Sequence, residues 1–305
     1  MPFELTILGS NSAIPAYGRH HTAQHLKIQH HNYLVDCGEG TQLQLLKYNF
    51  KAQRIEAIFI SHLHGDHYLG LVGLLSSMHL QGRTKKLQLF GPPQLSDILT
   101  TQLRYSDTTF RYKVDFHPLD MSSTNVILET EALTVSTLPM QHRIPCLGFI
   151  FREKEYPYNL NKAKLTNEMS LIDIALLKKG EDVLDKNRGI KYSAKDYTLG
   201  QKSPRSYAYC SDTRYIPELS DQLNEVNLLY HEATFLTEIE LRATNTYHAT
   251  AKQAAQLALD AKVDKLIIGH FSARYKDLQP LEDEARKVFK NTYLAIEGKT
   301  FSLKN

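Results

Sequence analysis

Ile60-Ser61-His62-Leu63-His64-Gly65-Asp66-His67 is the stretch on which the reading of this chain turns. Four side chains able to bind a metal, His62, His64, Asp66 and His67, fall within it, directly after the apolar run 56–60 (Glu-Ala-Ile-Phe-Ile). That run is β-branched and aromatic enough for a buried strand, and residues two apart on an extended chain point to one side. His62 and His64 are therefore expected to pinch one ion. Gly65 lets the chain turn, so that Asp66 and His67 face a second ion as a helix begins near Tyr68. Imidazole with carboxylate suits zinc, and also manganese or iron. The spacing reads as half of a two-metal hydrolase site.

Three later segments extend the pattern. Residues 133–138 (Leu-Thr-Val-Ser-Thr-Leu) alternate as a strand does and deliver His142, residues 206–210 deliver Asp212, and residues 265–269 deliver His270. Each polar group sits just past a strand's carboxyl end, the edge of a layered α/β sheet where loops converge. A single such histidine is usually an ordinary loop residue; its repetition after successive strands is what points to a site.

The order His-x-His-x-Asp-His, then His142, Asp212 and His270, resembles the metallo-β-lactamase superfamily and, more narrowly, the short form of the tRNase Z family. The narrower likeness is carried by Leu34-Val35-Asp36-Cys37-Gly38-Glu39-Gly40-Thr41-Gln42, Ser211-Asp212-Thr213, His231-Glu232-Ala233-Thr234, His248-Ala249-Thr250 and Gly269-His270-Phe271-Ser272-Ala273-Arg274-Tyr275. It spans nearly the whole chain. The resemblance implies an α/β fold, an αββα sandwich with residues 1–305 as one domain, and a zinc-dependent endoribonuclease that removes the 3′ trailer from precursor tRNA. It further implies a homodimer, one zinc on His62, His64, His142 and Asp212, and a second on Asp66, His67, His270 and the shared Asp212. Manganese or another divalent metal is the alternative ion. Two ions roughly 3.5–4 Å apart supply a nucleophile at neutral pH, and by resemblance Asp66 also accepts the water's proton.

The leaving group, a sugar 3′-oxygen, needs an acid opposite the nucleophile. His248 is the candidate: Thr250 is suited to cap the helix-like run 251–259 and so to fix His248 on the preceding loop. Glu232, expected on the loop after residues 227–230, would orient the imidazole and favour its charged form.

Composition bounds the rest. The 305 residues are 42% hydrophobic, ample for a core, and Cys37, Cys146 and Cys210 are too scattered for a disulfide framework or a thiolate zinc site. They are expected as core thiols in a cytoplasmic protein. The start, residues 1–9, reads as a strand rather than a signal peptide, and no apolar run reaches membrane-spanning length.

Residues 152–205 stand apart. They hold twelve Lys and Arg against eight Asp and Glu, a net of +4, so that with +3 for the whole chain the remainder carries −1. Tyr156, Tyr158, Tyr192 and Tyr197 are interleaved with the cations. The segment matches in position the inserted arm by which the tRNase Z family grips tRNA, where lysines can meet phosphates and tyrosines can stack or hydrogen-bond. The family's Gly-Pro arm tip is missing; residues 170–177 read instead as a helix ending at Lys178-Lys179-Gly180. Near the amino terminus the family's Pro-x-Lys-x-Arg-Asn loop is here Pro15-Ala16-Tyr17-Gly18-Arg19-His20, keeping the arginine but neither the lysine nor the asparagine.

His20, His21, His25, His30 and His31 are expected as loop and strand-surface residues, Arg83, Lys85 and Lys86 as a solvated turn, and Arg274 as a group near substrate phosphates. The competing enzyme reading is another metallo-β-lactamase-fold phosphodiesterase or thioesterase acting on a small substrate. A scaffold with a decayed site would have lost ligands, and all seven ligand positions are filled.

Overall fold

The computed structural model describes residues 1–304, in two compact units: Met1–Phe151 with Ser206–Lys304, and Arg152–Arg205. In the first unit β1 (Phe3–Gly9), β2 (Ala23–Ile28), β3 (His31–Val35), β4 (Ile55–Phe59), β5 (Leu87–Gly91) and β6 (Val114–Pro118) lie side by side in one sheet. The chain then enters a second sheet with β7 (Val126–Glu129), β8 (Leu133–Met140) and β9 (Cys146–Glu153). A short ribbon, β10 (Val183–Leu184) with β11 (Ile190–Tyr192), belongs to the second unit. The second sheet resumes with β12 (Ser206–Cys210), β13 (Leu228–Glu232), β14 (Leu266–Gly269) and β15 (Thr292–Leu294), all parallel, while β16 (Thr300–Ser302) returns to pair antiparallel with β1.

Strand alternation explains why these sheets stack. On β4, Ala57 and Phe59 point to the second sheet, where the Phe59 ring lies 5.6 and 5.3 Å from Phe149 and Phe151 of β9. Ile58 points the other way, joined by Ile55 across a register shift at the start of the strand, into a cluster with Leu45 of α1 (Thr41–Lys47) and Leu71, Leu74, Leu75 and Met78 of the helix that follows the His62–His67 string. On the second sheet, helices over Ala251–Asp260 and Gln279–Val288 pack against β13–β15. The result is the expected αββα layering. Each fully buried Phe or Leu between layers contributes about 1.5–3 kcal/mol.

The helix expected to begin near Tyr68 begins earlier, and in two pieces: α2 (Gly65–Tyr68) and α3 (Leu71–Leu80). The break falls at Gly70, where a Cβ would lie 2.2 Å from the Gly38 carbonyl. Only glycine allows that approach. The Cys37 amide donates to the His67 carbonyl (2.8 Å) and the Gly70 amide to the Cys37 carbonyl (2.9 Å), so α2 is locked onto the loop after β3.

The second unit has its own small core of Met169, Leu177, Val183 and Ala194. Helix α4 (Leu95–Tyr105) belongs to the first unit; α5 (Leu171–Lys178) is the helix read in the arm, opened by a capping box between Ser170 and Asp173. Tyr192 and Tyr197, expected to stack on or hydrogen-bond to RNA, pack half-buried on this core with rings 5.3 Å apart. Lys162, Lys164, Lys178, Lys179, Lys186 and Arg188 are exposed. At the base the Glu153 amide donates to the Arg205 carbonyl (2.9 Å), and the Arg205 guanidinium donates to both Glu153 carboxylate oxygens (2.7 and 2.8 Å).

Candidate metal centre and active site

The carboxyl ends of β4, β8, β12 and β14 supply the site. His62 follows β4, His64 is the N-cap of α2, and Asp66 and His67 lie in its first turn; His142, Asp212 and His270 follow β8, β12 and β14. All seven residues meet, and all but His64 and His142 are buried. Asp212 lies at the centre. Its Oδ2 is 3.7 Å from His62 Nε2 and 3.8 Å from His142 Nε2, while its Oδ1 is 3.4 Å from His67 Nε2 and 3.2 Å from His270 Nε2. His64 Nδ1 joins the first group, 3.1 Å from His62 Nε2 and 3.0 Å from His142 Nε2. Asp66 Oδ2 joins the second, 3.5 Å from His67 Nε2 and 3.3 Å from His270 Nε2.

This donor set fits divalent metal. His67 Nε2 and Asp212 Oδ1 are buried without a hydrogen-bond partner, an arrangement that leaves their lone pairs for a cation. Burial, helped by neighbouring imidazoles, holds His62 neutral and lowers His64 to about 4, the ligating form. Burial also opposes charge on His67, but Asp212, Asp66 and Asp36 outweigh it and raise its pKa well above the usual value. Carboxylates converging on one buried ring are a demand for positive charge. Burial likewise works against ionised Asp212, yet His270, His67 and His62 hold its carboxyl well below the ordinary range.

A layer behind these groups fixes their orientation. Asp36 Oδ2 lies 2.7 Å from His67 Nδ1 and accepts from the hydroxyls of Tyr209 (2.6 Å) and Ser61 (2.9 Å), while its Oδ1 accepts from the Ser61 amide (2.8 Å). His142 Nδ1 bonds the Tyr247 carbonyl (3.0 Å), His270 Nδ1 the Thr234 hydroxyl (2.8 Å), and His64 Nε2 meets Arg143 Nη2 (3.1 Å). Asp36, Tyr247 and His270 all take positive φ (55°, 62° and 59°), a conformation uncommon for side-chain-bearing residues. Sequence reading gave no role to Asp36, Arg143, Thr234 or Tyr247. Asp36 was findable, since it too sits just past a strand's carboxyl end.

Glu232 is the last residue of β13, fully buried, not on the loop after it. Parallel pairing with β14, where Glu232 lies opposite Gly269, extends the strand through it. Its Oε1 is 2.8 Å from His248 Nδ1 and accepts from the Thr213 amide (3.2 Å); its Oε2 accepts from the Thr234 amide (3.0 Å) and hydroxyl (2.7 Å). Burial disfavours charge on His248, but the Glu232 carboxylate raises its pKa to about 9. Thr250 caps Ala251–Asp260 through a capping box with Gln253, as its residue type suggested. His248 also forms a potential ligand group with Asp212 and His270. A cavity of about 450 Å³ opens over His64, Asp66, His142, Asp212, His248 and His270.

Arg83, His21 and His25 differ from expectation. Arg83 is buried, not in a solvated turn, because its guanidinium donates to the carbonyls of Gln53, Ile55, Lys85 and Lys86. Arg19 donates to Asn11 Oδ1 (2.8 Å) and the Tyr275 carbonyl (2.6 Å), knitting its loop to the segment after His270. Arg274 lies over the Phe235 ring. His21 and His25 are buried, His21 bonding the Ala13 carbonyl and His25 packing on Phe50 with its pKa lowered by burial to about 4. Among the described residues the amino-terminal histidines form no metal-ligand group. Cys37, Cys146 and Cys210 are free and buried, as expected.

Comparison with known proteins places this geometry in context. The family described as anti-Pycsar protein Apyc1 matches residues 3–171, a span that ends before Asp212, Glu232, His248 and His270. The chain is 49% identical to Ribonuclease Z of Cytophaga hutchinsonii, over 99% of this chain and 96% of that protein, and 44% identical to Ribonuclease Z of Bacteroides fragilis, over 99% of each. The solved structure of human short-form tRNase Z superposes with a TM-score of 0.72 at 25% identity, covering 99% of this chain and 100% of that one.

Proposed function

As the chain belongs to the ribonuclease Z family, the metallo-β-lactamase-fold endoribonucleases of tRNA 3′ processing, we propose how its residues divide the reaction. The observation that supports this division best is the double role of Asp212, with one oxygen toward each histidine group. His62, His64, His142 and Asp212 would hold one zinc, and Asp66, His67, His270 and Asp212 a second, with manganese as a substitute. Metals there supply Lewis acidity toward the phosphoryl oxygens and acidify a water. Asp66 takes the attacking water's proton. His248, held charged by Glu232, gives a proton to the departing 3′-oxygen, leaving a tRNA 3′-hydroxyl and a 5′-phosphorylated trailer. The cleft between Asp66 and His248 thus moves a proton in on one side and out on the other.

The exposed cations of Arg152–Arg205 make that unit the tRNA-binding arm. We also propose a homodimer, for which exposed Leu43 and Leu46 of α1 offer an apolar surface, and a cytoplasmic location, which three free thiols suit. No helix among the described residues is long and apolar enough to cross a membrane.

The test is purified protein with zinc or manganese, given a trailer-bearing precursor tRNA and, separately, a small phosphodiester. Discrete cleavage beside the acceptor stem is expected. Hydrolysis of the small ester alone would return the small-substrate phosphodiesterase or thioesterase reading, which the full-length relatives do not favour.

A further inference from the structure

The ligands lie past the carboxyl end of β4; at the amino-terminal ends of β4 and β5 is a separate hollow of about 1140 Å³. Lys27, Lys51, Arg54, Lys85 and Lys86 line it, against one acid, Glu56, which already pairs with His31 at 2.7 Å. Lys86 and Lys27 have acidic neighbours, Asp115 at 3.0 Å and Glu4 at 3.9 Å. Lys51, Arg54 and Lys85 are exposed, and among the described residues no acid lies within ion-pair distance of them. Outside residues 152–205 the chain carries a net −1, so this cluster is a local segregation of positive charge, not a sample of a basic surface.

The hollow is also built. Arg83 is buried beneath it and donates to Gln53 O (3.1 Å) and Ile55 O (2.9 Å) on one loop, and to Lys85 O (2.8 Å) and Lys86 O (3.0 Å) on the other. Lys51 and Arg54 on the first loop are thereby held across from Lys85 and Lys86 before any ligand arrives. Phe50, packed on His25 with centroids 4.2 Å apart, adds an aromatic surface to the same lining. Spread cations with an interleaved ring are the makings of a single-strand nucleic-acid groove.

We propose that this hollow is a second RNA-binding site, taking the phosphates of a single-stranded backbone. The choice of RNA among polyanions rests on the ribonuclease reading. Strand β4 spans about 17 Å at roughly 3.3 Å per residue, so the strand bound there is either a long trailer continuing round from the scissile bond or a separate RNA.

The test is the triple variant Lys51→Glu, Arg54→Glu, Lys85→Glu in the full chain, beside the parent. A labelled unstructured oligonucleotide, a precursor tRNA with a short trailer and one with a long trailer are each titrated by fluorescence anisotropy across a salt series. Loss of three phosphate contacts should cut the log–log salt slope by about 2 and weaken binding at least about tenfold. Hydrolysis of a small phosphodiester should stay at the parent's rate, showing an intact fold and site. A defect confined to the long-trailer precursor identifies the trailer as the ligand, and a defect extending to the free oligonucleotide identifies any single strand. Unchanged affinity and slope for all three RNAs overturns the proposal, whatever the parent does to precursor tRNA. Failure of the parent to cleave either precursor would instead count against the ribonuclease reading.

Discussion

Asp212 is the residue on which both histidine groups depend, since each of its oxygens faces one of them. Asp212→Ala should therefore strip the protein of both metals and of nearly all turnover; elemental analysis of fully active wild-type protein that found one metal per chain would refute the shared-ligand arrangement. His248 calls for a different experiment. His248→Ala should keep both metals yet slow single-turnover cleavage roughly 10²–10⁴-fold, and the defect should shrink markedly when sulfur replaces the scissile 3′-oxygen, because a thiolate leaves without protonation. An equal defect on both substrates would make His248 a group that positions RNA. The seven residues that cluster were legible because metal ligation would demand particular side chains at fixed spacing after strands. Thr234 was not, since a residue that only orients another through a hydrogen bond leaves no such spacing in the sequence; its work appears only once β13 and the segment after it are folded against His270.

Element by element, strands came through best where the whole run is buried, as in β12, whose bounds match the run 206–210. What sequence missed were tertiary events: the break of α2 from α3 at Gly70, imposed by the Gly38 backbone, and the burial of Arg83, whose partners are main-chain carbonyls that any residue provides. The base of the arm gives a prediction about acid. Burial opposes ionised Glu153, but its hydrogen bonds from Arg205 and Tyr156 outweigh this and lower its pKa from the ordinary 4.5. A depressed carboxyl contributes stability that is present above the ordinary value and is lost as pH falls through the lowered one. Between pH 6 and 3, limited proteolysis should therefore begin within residues 152–205 as pH drops below about 4.5, and Glu153→Gln should be cut there even at pH 6. Acid-independent cutting in the parent would show that the pair does not hold the arm's base.

At the scale of the whole molecule, the two ends of Arg152–Arg205 are hydrogen-bonded neighbours, which makes the unit removable. Replacing residues 157–203 with a short Gly/Ser bridge, and so keeping Glu153, Tyr156 and Arg205, should preserve metals and small-ester hydrolysis while weakening tRNA binding and flattening its salt dependence. Precursor binding as tight as the parent's across a salt series would remove the arm from the substrate's path. The pairing of β16 with β1 has a consequence in time. A ribosome delivers Phe3–Gly9 long before Thr300–Ser302, and it delivers the His62–His67 string long before Asp212 and His270. The nascent chain therefore carries an open sheet edge and a fragment of the candidate site through most of its synthesis, and the seven clustered residues can meet only after His270 has emerged. An RNA-cutting enzyme that stays inert until His270 has emerged spares the RNA crowded around it until then.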